Sequence, residues 1–313
     1  MGLKKSKDKT KAKHSKKTII SLSLFLGPGV ILALIFFLAP VILTIALSLT
    51  DMDYRFNWDF VGFQNFIDIA HDFLIGMVIK NTLVYVGFTL AFFNIGLALL
   101  LSLLTTSISE RSGTFFRLIW MLPRLTPSVV YGLLWLWIFD STRFGLLNSV
   151  REMLFGNVEP LDFLSQHPMV VIILANGFVG ASFGMILFTS AIKSIPRDYL
   201  YAASVDGAGW FFKVRKVILP LLKWQILFTT AYQTLSLLTS FEYILIITDG
   251  GPVFSTEVWA LYTYHNAFEN FRFGFGASLS LILVIIGLVA SLIYLKIFKF
   301  KEMIQEPRIE VDA

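Results

Sequence analysis

Four polar side chains follow one face of a strongly apolar segment in the second half of the chain. They are Thr229, Gln233, Ser236 and Ser240. Their spacings of four, three and four place all of them on one side of a helix. Asn176, Gly180 and Ser182 form a similar group in the preceding apolar segment. Such groups either hydrogen-bond to a neighbouring helix or line a path for a polar solute, and the sequence leaves both possibilities open.

The longest polar interruption between these two segments runs over 194–222. Pro196 suits the first turn of a helix, which we expect to run from Arg197 to Asp206 and to stop at a left-handed Gly207. Three small residues in a row, Ala202, Ala203 and Ser204, would let another surface approach this helix closely. The sequence therefore predicts a short exposed helix, a turn and a return to the next apolar segment.

The residue types exclude several kinds of site. The chain has no cysteine, hence no thiol nucleophile and no thiolate metal site. Its four histidines are scattered, so no metal site is expected. No G-x-x-x-x-G-K-[ST] motif occurs, so the chain does not hold ATP in the P-loop manner. We expect no cofactor on this chain.

The elements that position these residues are membrane helices. The chain of 313 residues is 56% apolar and only 15% charged, against about 25% charged in soluble domains. A span needs about 20 apolar residues. Six stretches qualify: 28–50, 83–105, 118–139, 169–192, 225–248 and 277–298. We expect Gly27-Pro28-Gly29 to break the first apolar run, leaving a short interfacial segment before it, and Pro40, Pro123 and Pro127 to kink their spans.

The distribution of basic residues predicts the orientation. Residues 1–18 form a basic tail with eight lysines, expected to lie near anionic lipid headgroups rather than on nucleic acid. If the N-terminus is cytoplasmic, the inner segments hold twenty basic residues and the outer loops five. This topology places 193–224, the C-terminal tail 302–313 and both termini in the cytoplasm. The whole stretch 19–301 is then one membrane domain.

The run from Ala202 to Gly209, Ala-Ala-Ser-Val-Asp-Gly-Ala-Gly, with Pro220 eleven residues later, resembles the EAA loop of ABC importer permeases of the sugar-transporting branch. The resemblance implies an all-α, type I importer permease fold with six spans, in which this loop is a cytoplasmic coupling helix seated in an ATPase subunit. It assigns the ATPase contact to Tyr199, Tyr201, Ala202, Ala203, Ser204, Asp206, Gly207, Ala208 and Gly209. Tyr201 stands where the family usually has a glutamate.

The same resemblance implies where a sugar would bind. Carried over position by position, the family's site falls on two groups of residues: Asn176, Val179, Gly180 and Phe183 in the fourth span, and Gln233, Ser236, Leu237 and Ser240 in the fifth. Shorter echoes of the family, such as the Phe-Gly-Leu-Leu-Asn run ending at Asn148, extend the resemblance from Gly27 to about Lys301.

The implied function is ATP-driven, binding-protein-dependent import of sugars across a prokaryotic plasma membrane, and the cargo that we expect is an oligosaccharide. The implied partners are a second homologous permease chain, a pair of ATPases that carry ATP and Mg²⁺, and an extracellular solute-binding protein. Two alternatives remain open from the residues alone. An ion- or proton-coupled transporter would show interrupted helices and several intramembrane charges, whereas only Arg124 and Glu242 lie in apolar stretches. A membrane enzyme would need clustered histidines or carboxylates, which the sequence does not show.

Overall fold

The computed structural model describes residues 16–297, and this part of the chain is built from helices. No strand occurs among these residues, and their β-type pairing is one isolated bridge between Thr50 and Phe60. The helices, numbered in chain order, are α1 (16–48), α2 (Gln64–His71), α3 (Ile75–Ser107), α4 (Glu110–Leu125), α5 (Ser128–Ile138), α6 (Leu146–Phe155), α7 (Phe163–Gln166), α8 (Pro168–Ser194), α9 (Arg197–Val205), α10 (210–221), α11 (Lys223–Leu238), α12 (Glu242–Ile247), α13 (259–269) and α14 (Phe273–Ile297).

Four helices in the described range are long and apolar enough to cross a membrane: Ser21–Ser48 within α1, and α3, α8 and α14. The predicted third and fifth spans are each divided in two. The third breaks at Thr126-Pro127, between α4 and α5, because Pro127 takes an extended ψ of 138°. The fifth breaks at 239–241, between α11 and α12. Six apolar segments are present, but six uninterrupted spans are not.

The first helix differs from the sequence expectation. Gly27-Pro28-Gly29 does not break it, and the helix continues through Pro28 to Ala33. The irregularity lies further on, in a π-helical turn over Leu34–Leu38 that ends two residues before Pro40. The same arrangement recurs in α10, where the π turn Val214–Ile218 ends two residues before Pro220. Since proline has no N–H to donate, a widened turn before it accommodates the carbonyls that its ring displaces.

The tails fall largely outside the described residues. The basic tail predicted at 1–18 does so except for its last three residues, which begin α1, and the C-terminal tail at 302–313 does so entirely.

Three hydrophobic clusters pack the described helices together. Near α9, the first cluster joins α3, α8 and α10 through residues that include Ala98, Phe188, Ile192 and Ile218. The second joins α3, α5, α8 and α12 through Tyr85, Trp135, Ile172 and Ile244, among others. The third joins α2, α3, α13 and α14. Because the second cluster contacts the start of α8 and the first contacts its end, these two clusters lie at opposite ends of this helix.

Glycines set the distance between α3 and α8. A Cβ added at Gly177 would lie 2.3 Å from the Phe93 ring, and one added at Gly184 would lie 2.6 Å from the Asn94 carbonyl oxygen. Small residues of this kind let membrane helices approach closely and pack by van der Waals contact. The α3–α8 pair is therefore the most tightly fitted part of the scaffold that carries the candidate site.

Candidate coupling and solute-path sites

The helix α9 ends as the sequence predicts. Gly207 adopts a left-handed φ of 76°. The Gly207 N–H donates to the Ser204 carbonyl at 3.0 Å, and the Ala208 N–H donates to the Ala203 carbonyl at 2.9 Å. This pair of bonds is the Schellman arrangement, which satisfies the last carbonyls of a helix and reverses the chain. The turn at Gly207 therefore fixes where α9 stops, one residue earlier than predicted, and where Ala208 and Gly209 lie.

Most of the surface of α9 is left uncovered by the described part of the chain. None of its residues is buried, and the side chain of Val205 is 88% exposed. Tyr199 and Tyr201 are also exposed, as are Ala202, Ser204, Asp206, Gly207 and Gly209, while Ala203 and Ala208 are half-buried. Exposed apolar and aromatic groups on a short helix are typical of a surface that another protein covers.

Two contacts connect α9 to the bundle. Leu200 packs against the first hydrophobic cluster, beside the ends of α3, α8 and α10. Ser204 Oγ donates to the Leu200 carbonyl and accepts from Lys213 Nζ, both at 2.7 Å. Through Leu200, α9 therefore packs against a cluster that joins three helices.

An ion-pair cluster braces the same end of the bundle. Glu110, the first residue of α4, lies 2.5 Å from Lys193 Nζ at the end of α8 and 3.0 Å from Arg117. Arg117 also donates to the Thr105 carbonyl of α3 at 3.1 Å. The hydrogen bond from Lys193 holds the pKa of Glu110 below its usual value. The carboxylate is therefore charged at neutral pH and links α3, α4 and α8.

The predicted solute residues fall into three groups in the structure. In the first, Asn176 Nδ2 donates to the Tyr85 hydroxyl at 2.6 Å and to Ser240 Oγ at 3.0 Å. Ser240 lies in the break between α11 and α12, so it is not on the helical face that the spacing predicted. The break brings its hydroxyl to α8 and α3. Tyr85 was not among the sequence candidates.

The second group joins α11 to α8. Gln233 is only 5% exposed, and its Nε2 donates to the Gly180 carbonyl at 3.0 Å. Gly180 itself faces α3, where an added Cβ would lie 2.1 Å from Asn94 Oδ1. Both Asn94 side-chain atoms and the Thr229 hydroxyl are buried without a hydrogen-bond partner. In this conformation Gln233 bridges α8 and α11. The buried side-chain atoms of Asn94 and Thr229 make the interior between these helices polar.

The third group faces outward. Phe183 stacks on Tyr232 with ring centroids 4.7 Å apart, and the Arg124 guanidinium lies over the Phe183 ring at 5.5 Å. Ser236 is exposed one turn beyond Tyr232. The two remaining predicted residues differ in exposure, since Leu237 is buried in the second hydrophobic cluster and Val179 is half-buried beside it. This face of α8 and α11 carries aromatic, hydroxyl and cationic groups that nothing in the described chain covers.

Arg124 is the penultimate residue of α4, about 21 Å along the helix from Glu110 at 1.5 Å per residue. Its guanidinium lies over the Phe183 ring. From the sequence we expect Arg124 to lie one or two turns from the cytoplasmic end and to extend towards that surface, and this stays a prediction. Sequence reasoning missed Tyr85 and Asn94, because both lie in α3 and no local sequence pattern links them to α8.

The chain matches the family model described as binding-protein-dependent transport system inner membrane component over residues 94–299. It is 31% identical to a probable ABC transporter permease protein of Pyrococcus horikoshii, covering 87% of this chain and 93% of that protein. It is 29% identical to the diacetylchitobiose uptake system permease protein NgcF of Streptomyces coelicolor, covering 87% of this chain and 80% of that protein.

A solved structure gives the same fold. The alginate ABC transporter, crystallised with its alginate pentasaccharide-bound periplasmic protein, has a chain that superposes with a TM-score of 0.77. The match covers 89% of this chain and 93% of that one at 24% identity. The family match spans α8, the exposed α9 and α11, which carry both candidate sites. This chain therefore belongs to the binding-protein-dependent transport system inner membrane component family, the permease subunits of ABC importers.

Proposed function

We propose that the chain forms one half of the translocation path of an ATP-driven sugar importer and couples to a separate ATPase through α9. The observation that carries this proposal is the exposed, glycine-capped α9, which stands between the two helices that bear the candidate solute residues. Because the chain belongs to a transport family, we expect this arrangement of helices to serve the passage of a solute across the membrane.

The coupling step follows from the packing. Movement of an ATPase seated on Tyr199, Tyr201 and Val205 would push Leu200 against the first hydrophobic cluster. That cluster holds the ends of α3, α8 and α10, so these helices would tilt together as rigid bodies. Tyr201 offers an aromatic ring and a hydroxyl to the ATPase where related proteins usually offer a carboxylate.

The solute class is supported by the outward face of α8 and α11. Phe183 and Tyr232 supply an aromatic surface, and the Ser236 hydroxyl lies beside it. Sugar sites combine an aromatic face with convergent hydroxyl and amide groups. Relatives named for diacetylchitobiose and for trehalose and maltose are consistent with an oligosaccharide. This surface would be supported from behind by Asn176, Gly180, Gln233 and Leu237. It would be extended by Ser240 and Val179.

The uncovered face of α8 and α11 indicates that another chain forms the opposite side of the path. A path lined on one side by α8 and α11 needs a partner, and a second, homologous permease chain would close it. We further propose a pair of ATPases holding ATP and Mg²⁺ on the α9 side and a solute-binding protein on the opposite side. Under this proposal the chain lies in a prokaryotic plasma membrane with both termini cytoplasmic. An ion-coupled transporter is not favoured, because the family is defined by its binding-protein dependence.

Reconstitution tests the proposal. The chain is assembled in proteoliposomes with the permease, ATPase and binding protein encoded beside it, and uptake of labelled maltose and diacetylchitobiose is measured with and without ATP. We expect uptake only with ATP and binding protein. Ser236→Trp, which adds bulk on the exposed face without disturbing a buried contact, should block uptake. Leu288→Trp, a similar addition on exposed α14, should not. Uptake that persists without ATP would overturn the proposal.

A further inference from the structure

We propose that Asp249, His265 and Glu269 bind a divalent transition-metal ion at the end of the bundle opposite α9. His265 Nε2 lies 3.1 Å from Asp249 Oδ1 and 3.8 Å from Glu269 Oε1. One ligand atom from each residue lies within 4.8 Å of the others. Bonds of about 2.1 Å in tetrahedral geometry put ligand atoms roughly 3.4 Å apart. The three groups therefore need only small side-chain rotations to enclose an ion.

A buried carboxylate orients the histidine. Glu257 is 1% exposed, and its Oε1 lies 2.9 Å from His265 Nδ1. A neutral imidazole donates from one nitrogen only. If Nδ1–H donates to the buried Glu257, then Nε2 turns its lone pair towards the Asp249 carboxylate. In that tautomer, a metal ion bound by both Nε2 and Asp249 Oδ1 would offset the repulsion between these two atoms, which lie 3.1 Å apart. A carboxylate on the far nitrogen is also the usual outer partner of a metal-bound histidine.

The charge around His265 is not balanced by other residues. Three carboxylates, from Asp249, Glu257 and Glu269, surround a single imidazole. Two of these carboxylates, from Asp249 and Glu269, lie on the Nε2 side of the ring and face one nitrogen. Among side chains of residues 21–297, no lysine or arginine nitrogen lies within ion-pair distance of these carboxylates, and Arg272 instead covers the Phe275 ring at 4.0 Å. A divalent cation would supply the missing charge.

The ligand set indicates the metal class. Mg²⁺ and Ca²⁺ prefer oxygen ligands throughout, whereas one imidazole with two carboxylates suits Zn²⁺, Co²⁺ or Mn²⁺. Sequence reasoning missed this site because only spacings between histidines were considered. His265 and Glu269 are four residues apart on a helix, but Asp249 reaches them only through the fold. A bound ion would fasten the turn after α12 to the last turn of α13, just before α14 begins.

Zinc titration of the full-length chain tests the site. The chain is purified in detergent with its affinity tag removed and treated with chelator, and ZnCl₂ binding is measured by calorimetry, with Co²⁺ absorption as a check on nitrogen ligation. Asp249→Asn and Glu269→Gln change exposed groups, with side chains 65% and 52% exposed, so both variants should fold. His265→Gln removes the nitrogen ligand. His71→Gln is the matched control, since His71 is exposed and bonds its own helix carbonyl.

We expect one Zn²⁺ per chain in the wild type and in His71→Gln. Affinity should fall at least about 10-fold in Asp249→Asn and Glu269→Gln, since even losses in the outer shell of a metal site cost 10–100-fold. Near-complete loss is expected in His265→Gln. Absence of binding by the wild type would overturn the proposal, as would binding that these substitutions leave unchanged.

Discussion

Replacement of Gly207 by alanine tests whether the left-handed turn at the end of α9 positions this helix for coupling. Gly207 has a φ of 76°, and a Cβ built there meets no atom within 4 Å. The cost of alanine is therefore conformational and not steric. An L-residue in the left-handed region costs roughly 1–2 kcal/mol. This corresponds to about a 5–30-fold shift away from the capped turn.

The assay is solute-stimulated ATP hydrolysis by the reconstituted complex. We expect Gly207→Ala to reduce the stimulated rate severalfold, up to that factor, while assembly of the complex is retained. Asparagine tolerates left-handed conformations better than alanine, so Gly207→Asn should recover much of the loss. Gly209 also has open space around it but an ordinary φ of −69°, so Gly209→Ala should cause the smaller loss.

This series of variants distinguishes two roles of Gly207: leaving space for the ATPase, and allowing the left-handed backbone conformation. If Gly207 acts only by leaving room for the ATPase, asparagine should be worse than alanine because it is larger. If the left-handed turn is what positions Ala208 and Gly209, the order reverses. Wild-type stimulation in Gly207→Ala would refute the reasoning.

Three further predictions concern the rest of the molecule. Gly180→Ala should lower stability in thermal unfolding by about 1–3 kcal/mol through overpacking against Asn94, and Asn94→Ala in the same chain should restore it; an unchanged single variant would contradict the α3–α8 contact. Tyr232→Ala should raise the solute concentration for half-maximal uptake by up to about 10-fold, since an aromatic pair is worth about 0.5–1.5 kcal/mol, and an unaltered value would remove the ring from the path. The lowered pKa of Glu110 means that its stabilising contribution is present above its ordinary value of 4.5 and is lost as the pH falls through the lower folded value; spin labels at Ser112 and Ser190 should then move apart on acidification in the wild type but show no such step in Glu110→Gln.

Features that depend on local chemistry followed from the sequence. Proline at 196 and glycine at 207 bracket α9, because each acts on its own backbone. Four of the six predicted spans overlap a helix long and apolar enough to cross a membrane, since the length of an apolar run is a local property. At Pro127 the sequence predicted a kink, and the structure has a break between two helices. Pro28 shows the limit, because a membrane helix tolerates a proline when the displaced carbonyls are accommodated elsewhere.

Features that depend on which helices are neighbours did not follow. The break at 239–241 contains no glycine or proline. It occurs where Ser240 meets Asn176 and Tyr85, two residues from other helices. Gly180 was selected as a solute residue, yet its missing side chain makes room for Asn94. The carboxylates around His265 are likewise separated along the chain and are brought together only by the fold.

The most direct test of the account is the accessibility of α9. Because the chain has no cysteine, Val205→Cys introduces a unique thiol at a position of α9 that is 88% exposed. Labelling with a membrane-impermeant maleimide is compared in inside-out and right-side-out vesicles, with and without the co-expressed ATPase. The account predicts labelling from the cytoplasmic side only, and protection by the ATPase. Labelling from the outer side, or cytoplasmic labelling that the ATPase leaves unchanged, would contradict it.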